Sequence, residues 1–190
     1  MKRDGHGQSE PVSEDIYLKI RSNFIEEYHQ LLLDIAHFTG ERWGAILQLQ
    51  VEDIYVDPHR RVVREYITFR KNTRKDKETR QVPVHPHLQL RLKAYEPPLR
   101  GWLFPSPINE GEHLTMRAAT RALTRALERA NLDQLGFSSH GTRRGFITDL
   151  HNKGISIKII QSLTGHKNLN IVSRYIEVSE EQRRVAIALR

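Results

Sequence analysis

Cysteine is absent from this chain of 190 residues, and long apolar runs are absent too. The lack of cysteine excludes disulfides, thiolate nucleophiles and cysteine-ligated zinc sites, although it does not identify a compartment. No apolar stretch approaches the roughly 18 residues that a transmembrane helix needs. The charges of the N-terminal segment are not followed by the apolar core of a secretory signal. We therefore expect a cytoplasmic protein with no membrane association.

Negative charge is scarce relative to positive charge, with 23 Asp and Glu against 30 Lys and Arg and a formal net charge of +7. This excess favours a polyanionic partner, because Lys and Arg that neutralise phosphates supply most non-specific affinity for nucleic acids. The same charge can serve solubility alone, so composition leaves both interpretations open. Much of the positive charge lies in residues 70–80 and 117–129.

The length and composition fit one folded domain. A chain of this length buries roughly 70% of its unfolded surface, which is enough for a hydrophobic core. Residues 1–12 are polar, and we predict a flexible tail there, followed by a single domain over residues 13–190. From Ile16 apolar residues recur every four positions, which predicts a helix or helix pair ending at Thr39-Gly40. A short amphipathic helix beginning near Trp43 follows.

Three β-strands are predicted next, over residues 54–56, 62–69 and 79–84. They are too few to form a core by themselves. The rest of the chain favours helices, with approximate bounds 86–95, 115–131, 139–152, 155–163, 169–177 and 179–190. We therefore predict an α+β fold, mostly α-helical, in which helices pack around a small three-stranded antiparallel sheet.

The pair His140-x-x-Arg143 can bind and process a phosphate. If the pair lies in the first turns of a helix, both side chains share a face near the helix N-terminus, where anions bind. A guanidinium can hold two phosphate oxygens, and an imidazole can move a proton near neutral pH. By itself the motif is weak, because most such pairs are ordinary surface groups.

Arg42, His166 and Tyr175 can contribute to the same chemistry. A tyrosine hydroxyl can attack phosphorus, but its free pKa of about 10 means that it needs help from nearby cations and a base. Simpler roles are also open. Tyr175 can pack with Ile171 and Val172 on one side of a short helix, while His166 can cap a helix and Arg42 can lie on a surface.

Taken in order along the chain, these residues resemble the catalytic domain of the tyrosine recombinases, the phage integrase family. Each motif alone is loose, whereas the full series, with the predicted sheet between the first and second motifs, is specific. The resemblance covers roughly residues 13–190. Its motifs are Thr39-Gly40-x-Arg42 with Leu49 and Asp53-Ile54, His140-x-x-Arg143, and Leu163-x-Gly165-His166 with Tyr175 nine positions on.

The resemblance implies a site-specific DNA recombinase in which Tyr175 attacks a phosphodiester to give a 3′-phosphotyrosine and a free 5′-hydroxyl, before strand exchange and rejoining. Arg42 and Arg143 would clamp the non-bridging oxygens as negative charge develops. His140 would take part in proton transfer, and His166 would hydrogen-bond a phosphate oxygen or the site. The reaction would need no metal or nucleotide cofactor, because the phosphotyrosine conserves the energy of the broken bond.

The family also has a lysine in the hairpin between the second and third strands, the general acid for the leaving 5′-oxygen. Its usual place, eight residues before a proline, is Lys75 if that proline is Pro83, with Lys71 the alternative for a longer hairpin. Double-stranded DNA is the implied partner. The cations that we predict to contact it are Lys71, Arg74, Lys77, Arg121, Arg125, Arg144 and Lys167. Arginines recur every four positions over residues 117–129, and this pattern fits a solvated helix face equally well.

The chain departs from the family pattern at two points. Members usually have an acidic residue three positions after the first arginine, where it is thought to brace the site, and here that position is Ala45. Glu41 can compensate, although nothing in the sequence shows that it does. Members also usually carry an N-terminal helical core-binding domain, and none precedes residue 13, so we expect modest, salt-sensitive DNA affinity from an excised domain or a short member.

Other functions fit parts of the sequence. A recombinase-like module that only binds DNA would explain Ala45, and type IB topoisomerase-like strand relaxation would use the same site. Residues 155–176 can form a helix-turn-helix, but that leaves Arg42 and the basic hairpin unexplained. His85-x-His87 lacks a third metal ligand, so a polar loop is favoured over a metal site. In this family a C-terminal segment such as 179–190 often docks on a neighbouring protomer, which predicts self-association on DNA.

Overall fold

The structure is a computed structural model, and it describes residues 9–73, 78–173 and 180–188. Four predicted site residues therefore lie outside the described residues. These are the nucleophile Tyr175, the general acid Lys75, and the hairpin cations Arg74 and Lys77.

Two antiparallel helices form the first part of the fold, where the periodicity predicts a helix or a pair. α1 (Glu14–Ser22) begins at Ser13, whose Oγ accepts a hydrogen bond from the amide of Ile16. α2 (Glu27–Thr39) is almost entirely buried on its C-terminal half and packs against α1 and three later elements. It ends at Gly40, whose φ of +62° suits a residue without a Cβ. α2 is thus the central element of the core.

The strands form two small antiparallel pairs. After α3 (Trp43–Ile46), β1 (Tyr55–Asp57) pairs with β2 (Val62–Val63), and β3 (Tyr66–Phe69) pairs with β4 (Arg80–Pro83).

In the part of the chain that the structure describes, these pairs replace the single three-stranded sheet that we predicted. The predicted middle strand divides at Arg64 and Glu65. The amide of Arg64 donates to the carbonyl of Ile54, next to β1, whereas the carbonyl of Glu65 accepts from the amide of Val84, next to β4. In the sequence, the consecutive charged residues Arg64 and Glu65 interrupt the apolar pattern of residues 62–69, and the strand changes partner at this interruption.

The remaining helices complete an α+β fold that is mostly α-helical, as predicted. One large cluster of buried apolar side chains joins α1–α5 and the strands, and a smaller one of Ile147, Ile160 and Val172 joins α6, α7 and α8. None of the helices in the described ranges has the length and apolar character that a bilayer crossing requires. The remaining helices, which follow the strands along the chain, are α4 (Pro86–Ala94), α5 (Met116–Arg129), α6 (Ser139–Asn152), α7 (Ile157–Thr164), α8 (Leu169–Ser173) and α9 (Glu180–Ala188).

Residues 9–12, which we assigned to a flexible tail, pack closely on α6. The amide of Val12 donates to the carbonyl of Gly141, and the Val12 side chain is buried. Two glycines of α6 permit this contact. A Cβ on Gly141 would lie 2.4 Å from the carbonyl oxygen of Glu10, and one on Gly145 would lie 2.0 Å from that of Val12. Polar composition predicts a tail here, but main-chain hydrogen bonds from Glu10 to Gly136 and from Val12 to Gly141 hold these residues against the protein.

Candidate active site

Arg42 stands at the start of α3, directly after the tight turn that closes α2. Thr39 stabilises that turn, because its hydroxyl donates to the carbonyl of Ile35 at 2.6 Å and accepts from the amide of Glu41 at 3.2 Å. The amide of Arg42 then donates to the carboxylate of Glu41 at 2.8 Å. The half-buried Arg42 side chain lines a cleft of about 280 Å³.

His140 and Arg143 line the same cleft from the first turns of α6, as the predicted i, i+3 spacing requires. Ser138 caps this helix through an oxygen that accepts from the amide of His140. His140 is exposed, whereas Arg143 is only 4% exposed. One terminal nitrogen of Arg143 donates to the carbonyl of Gly40 at 2.8 Å, and the other donates to the carbonyl of Thr164 at 2.7 Å. Arg143 therefore joins the turn after α2 to the end of α7.

His166 follows the left-handed Gly165 that ends α7, and its ring reaches Arg143. Nη2 of Arg143 lies 3.1 Å from Nε2 of His166, and the hydroxyl of Thr164 lies 2.8 Å from Nδ1. The Thr164 hydroxyl donates its proton to the carbonyl of Ile160, so it accepts from Nδ1–H of the imidazole. Nε2 is then the acceptor for Arg143. Of the two roles predicted for His166, the structure shows the contact with another site residue.

Burial, and then the charges of Arg143, Arg42 and Arg80, lower the pKa of His166 to about 4. The ring is therefore neutral at neutral pH and keeps a lone pair for the guanidinium of Arg143. A charged imidazole at this position would face three cations.

The lowered pKa of His166 predicts a pH-dependent stability. In the unfolded chain the pKa returns to about 6.5, so between pH 6.5 and 4 the unfolded state binds the proton and the folded state does not. The free energy of unfolding should therefore fall as the pH is lowered from 6.5 to 4, by up to about 3 kcal/mol for this residue. His166→Gln should remove that part of the decline.

Urea denaturation of both proteins at several pH values between 4 and 7.5 measures the effect. His59→Gln, a change at an exposed histidine away from the cleft, is the control. Parallel stability curves for wild type and His166→Gln would contradict the prediction.

Two site residues were not recognised as a pair in the sequence. Arg80, at the start of β4, makes an ion pair with the buried carboxylate of Glu41, and its charge contributes to the lowered pKa of His166. Glu41 also lies 3.6 Å from Nη1 of Arg143. A basic residue next to a basic hairpin carries no signal that separates it from its neighbours, so only the fold identifies Arg80.

The other predicted cations occupy different places. Arg121 and Arg125 are exposed on α5, whose first residue also lines the cleft, and Lys71 and Lys167 are exposed beside the hairpin and His166. Arg144 does not join the cleft, because its guanidinium donates to the carbonyl of Ser9. Arginines one position apart on a helix point in different directions, so Arg143 and Arg144 have different partners.

The His85-x-His87 motif lies at the N-terminus of α4. Nδ1 of His85 accepts from the amide of His87, and the two rings lie 5.2 Å apart. Within residues 9–73, 78–173 and 180–188 no three His, Asp or Glu side chains are grouped so that they can hold a metal ion. The histidine at position 85 acts as a helix cap.

Known proteins share both the sequence pattern and the fold. The model of the phage integrase family matches residues 10–182. A tyrosine recombinase of Thermosipho africanus (strain TCF52B) is 26% identical over 152 residues, 80% of this chain and 50% of that protein. The tyrosine recombinase XerD of Rhizobium meliloti (strain 1021) is 24% identical over 176 residues, 90% of this chain and 51% of that protein. The chain thus spans about half the length of these curated relatives.

Solved structures extend the likeness to the fold. The XerA recombinase matches with a TM-score of 0.73 at 19% identity, over 96% of this chain and 66% of that one. A lambda integrase dimer bound to a COC' core site matches with a TM-score of 0.68 at 22% identity, over 95% of this chain and 51% of that one. The fold is therefore that of these recombinases, and the predicted family is confirmed. The chain belongs to the phage integrase family.

Proposed function

We propose that this chain is the catalytic domain of a site-specific DNA recombinase that cuts and rejoins double-stranded DNA. The observation that carries the proposal is the convergence of three segments at one cleft. Arg42, from the turn after α2, and His140 and Arg143, from α6, line the cleft, and His166, from the segment after α7, contacts Arg143. Such a cleft presents two guanidinium groups and an imidazole to a single anionic centre. That is what a reaction at a phosphodiester requires.

In the proposed reaction the Tyr175 oxygen attacks phosphorus and the bond from phosphorus to the 5′-oxygen breaks. His140 takes the phenolic proton, and Lys75 donates a proton to the leaving oxygen, which gives a free 5′-hydroxyl. Rejoining reverses the step, with the 5′-hydroxyl of the exchanged strand as nucleophile. No cofactor is consumed, because the phosphodiester energy is kept in the phosphotyrosine.

Arg42 and Arg143 stabilise the charge that develops on the non-bridging oxygens. Donors that are already oriented cost no reorganisation when the charge appears. Arg143 is such an oriented donor, because two carbonyls and the neutral ring of His166 hold its guanidinium in place. We assign His166 the task of keeping Arg143 in place.

Outside the cleft, the exposed cations Arg121, Arg125, Lys71 and Lys167 would follow the DNA backbone. Binding would therefore weaken as salt rises. The C-terminal segment 179–190 would support self-association on DNA. Ile187 of α9 is 75% exposed, and in that assembly it would pack on a neighbouring copy of the chain. The proposed place of action is cytoplasmic, on DNA.

The proposal is tested by covalent trapping. The protein is incubated in EDTA with a mixed-sequence pool of nicked duplexes, in which the cut strand loses its short 5′-hydroxyl product. Denaturing gels should show a protein–DNA adduct with wild type and none with Tyr175→Phe. Tyr66→Phe, which removes the hydroxyl of an exposed strand tyrosine, is the matched control and should retain the adduct.

An adduct that survives in Tyr175→Phe would overturn the assignment of the nucleophile. DNA binding with no adduct from any protein would favour a module that only binds DNA, and Ala45→Glu would then test whether the missing acidic residue is the cause.

A further inference from the structure

Glu41 is a buried carboxylate that the proposed reaction does not use. It is 1% exposed and lies in the turn between α2 and α3, immediately before Arg42. The family pattern puts an acidic residue at position 45, where this chain has an alanine that lines the cleft. Glu41 stands one position before the first arginine, and it lines the same cleft as Ala45.

The Glu41 carboxylate contacts three segments that build the site. Oε1 accepts from the amide of Arg42 at 2.8 Å and lies 3.6 Å from Nη1 of Arg143. Oε2 makes an ion pair with Nη2 of Arg80. One carboxylate thus joins the start of α3, the start of β4 and the first turns of α6.

Charge explains why a carboxylate is needed here. The side chains of Arg80 and Arg143 are 10% and 5% exposed, so water screens little of the repulsion between them. A carboxylate between two guanidinium groups offsets this repulsion and restricts the directions in which both can point. The other contacts of Arg143 are with neutral groups, the carbonyls of Gly40 and Thr164 and the ring of His166, whereas Glu41 supplies a neighbouring negative charge.

We propose that Glu41 is a positioning residue that orients Arg143 for phosphate binding, with Arg80 as its second partner, and so replaces the acidic residue missing at position 45. The proposal rests on the proposed recombinase function for its catalytic consequence. Its structural content, that Glu41 sets the arrangement of the two arginines, can be measured without catalysis.

The first test measures single-turnover cleavage of the nicked duplexes. Glu41→Gln should lower the cleavage rate by about 10- to 100-fold, the cost of a small misplacement of a reacting group, with DNA affinity within about twofold of wild type because the residue is buried. Adding Ala45→Glu to Glu41→Gln should restore part of the rate. Glu52→Gln is the matched control, since Glu52 also pairs with an arginine, Arg70, but is exposed and lies outside the cleft.

The second test measures the guanidinium signals of Arg80 and Arg143 by NMR, assigned with Arg80→Lys and Arg143→Lys. Glu41→Gln should shift both Nε–Hε signals and speed rotation of the terminal nitrogens, whereas Glu52→Gln should leave both unchanged. If Glu41→Gln does not fold, Glu41→Asp replaces it in both tests, with a smaller loss of rate and the same two signals shifted.

The outcomes separate the two proposals. Shifted arginine signals with no adduct from wild type would support the role of Glu41 and overturn the recombinase function. Wild-type cleavage rates in the variant, or unmoved arginine signals at any cleavage rate, would overturn the role of Glu41 and leave the function standing.

Discussion

Arg143→Lys is expected to lower the rate of DNA strand cleavage by about 10³-fold, the upper range for loss of one preoriented donor to a developing oxyanion. The reason is the geometry of the side chain. Its two terminal nitrogens donate to different carbonyls, Gly40 at 2.8 Å and Thr164 at 2.7 Å, while the group also faces His166. A lysine ammonium is a single point and cannot span both carbonyls in the same plane.

Single-turnover trapping with the nicked duplexes measures this effect, with circular dichroism to show that the variant is folded. Arg129→Lys is the matched control, because Arg129 also donates to a backbone carbonyl, that of Asn23, but at an exposed position away from the cleft. We expect Arg129→Lys to cleave at the wild-type rate. A loss below tenfold in Arg143→Lys would mean that a point charge suffices and that the planar fork has no catalytic importance.

Gly145→Val is expected to destabilise the protein more than any other change considered, because of a main-chain contact. The Cβ of any side chain at position 145 would lie 2.0 Å from the carbonyl oxygen of Val12 and 2.9 Å from its carbonyl carbon. Backbone atoms cannot rotate away as a side chain can. Residues 9–12 must therefore leave α6, which exposes Val12 and breaks the hydrogen bond from its amide to Gly141.

The cost should be about 3 kcal/mol of unfolding free energy for Gly145→Val, and about 1–3 kcal/mol for Gly145→Ala, as for other overpacked positions. Urea denaturation measures both. Gly44→Ala is the control, because a Cβ at this helical glycine meets nothing within 4 Å, and the change should stabilise by up to about 1 kcal/mol. Equal stabilities of Gly145→Ala and wild type would show that residues 9–12 add nothing to the fold.

Local chemistry allowed most helices to be predicted. Ser13, Thr115 and Ser138 cap helices through their side-chain oxygens, and Gly40 and Gly165 end helices in left-handed conformations. These signals depend on neighbouring residues alone, so the sequence contains them in full. The division of the predicted middle strand at Arg64 and the packing of residues 9–12 depend on distant partners, Ile54, Val84 and α6, so neither follows from the neighbouring residues.

In the candidate site, too, the sequence indicates individual residues, whereas their contacts depend on distant parts of the chain. The resemblance named Arg42, His140, Arg143 and His166, and the structure brings them together across 103 positions between Gly40 and Arg143 and 23 between Arg143 and His166. Tyr175 and Lys75 lie outside the described residues, and their roles stay predictions. Glu41 stands at the variable position of the first motif, but its pairing with Arg80 could not be identified, because 39 positions separate the two residues and Arg80 belongs to no quoted motif.

By itself the sequence determined the helical segments, the family and the types of side chain available for phosphate chemistry, because capping, periodicity and motif spacing act over a few residues. Only the tertiary structure decided which of many cations face the cleft. Arg143 turns inward and its neighbour Arg144 turns to Ser9. The direction of a charged side chain depends on which carbonyls, carboxylates and rings the fold places beside it, and those partners come from distant parts of the chain.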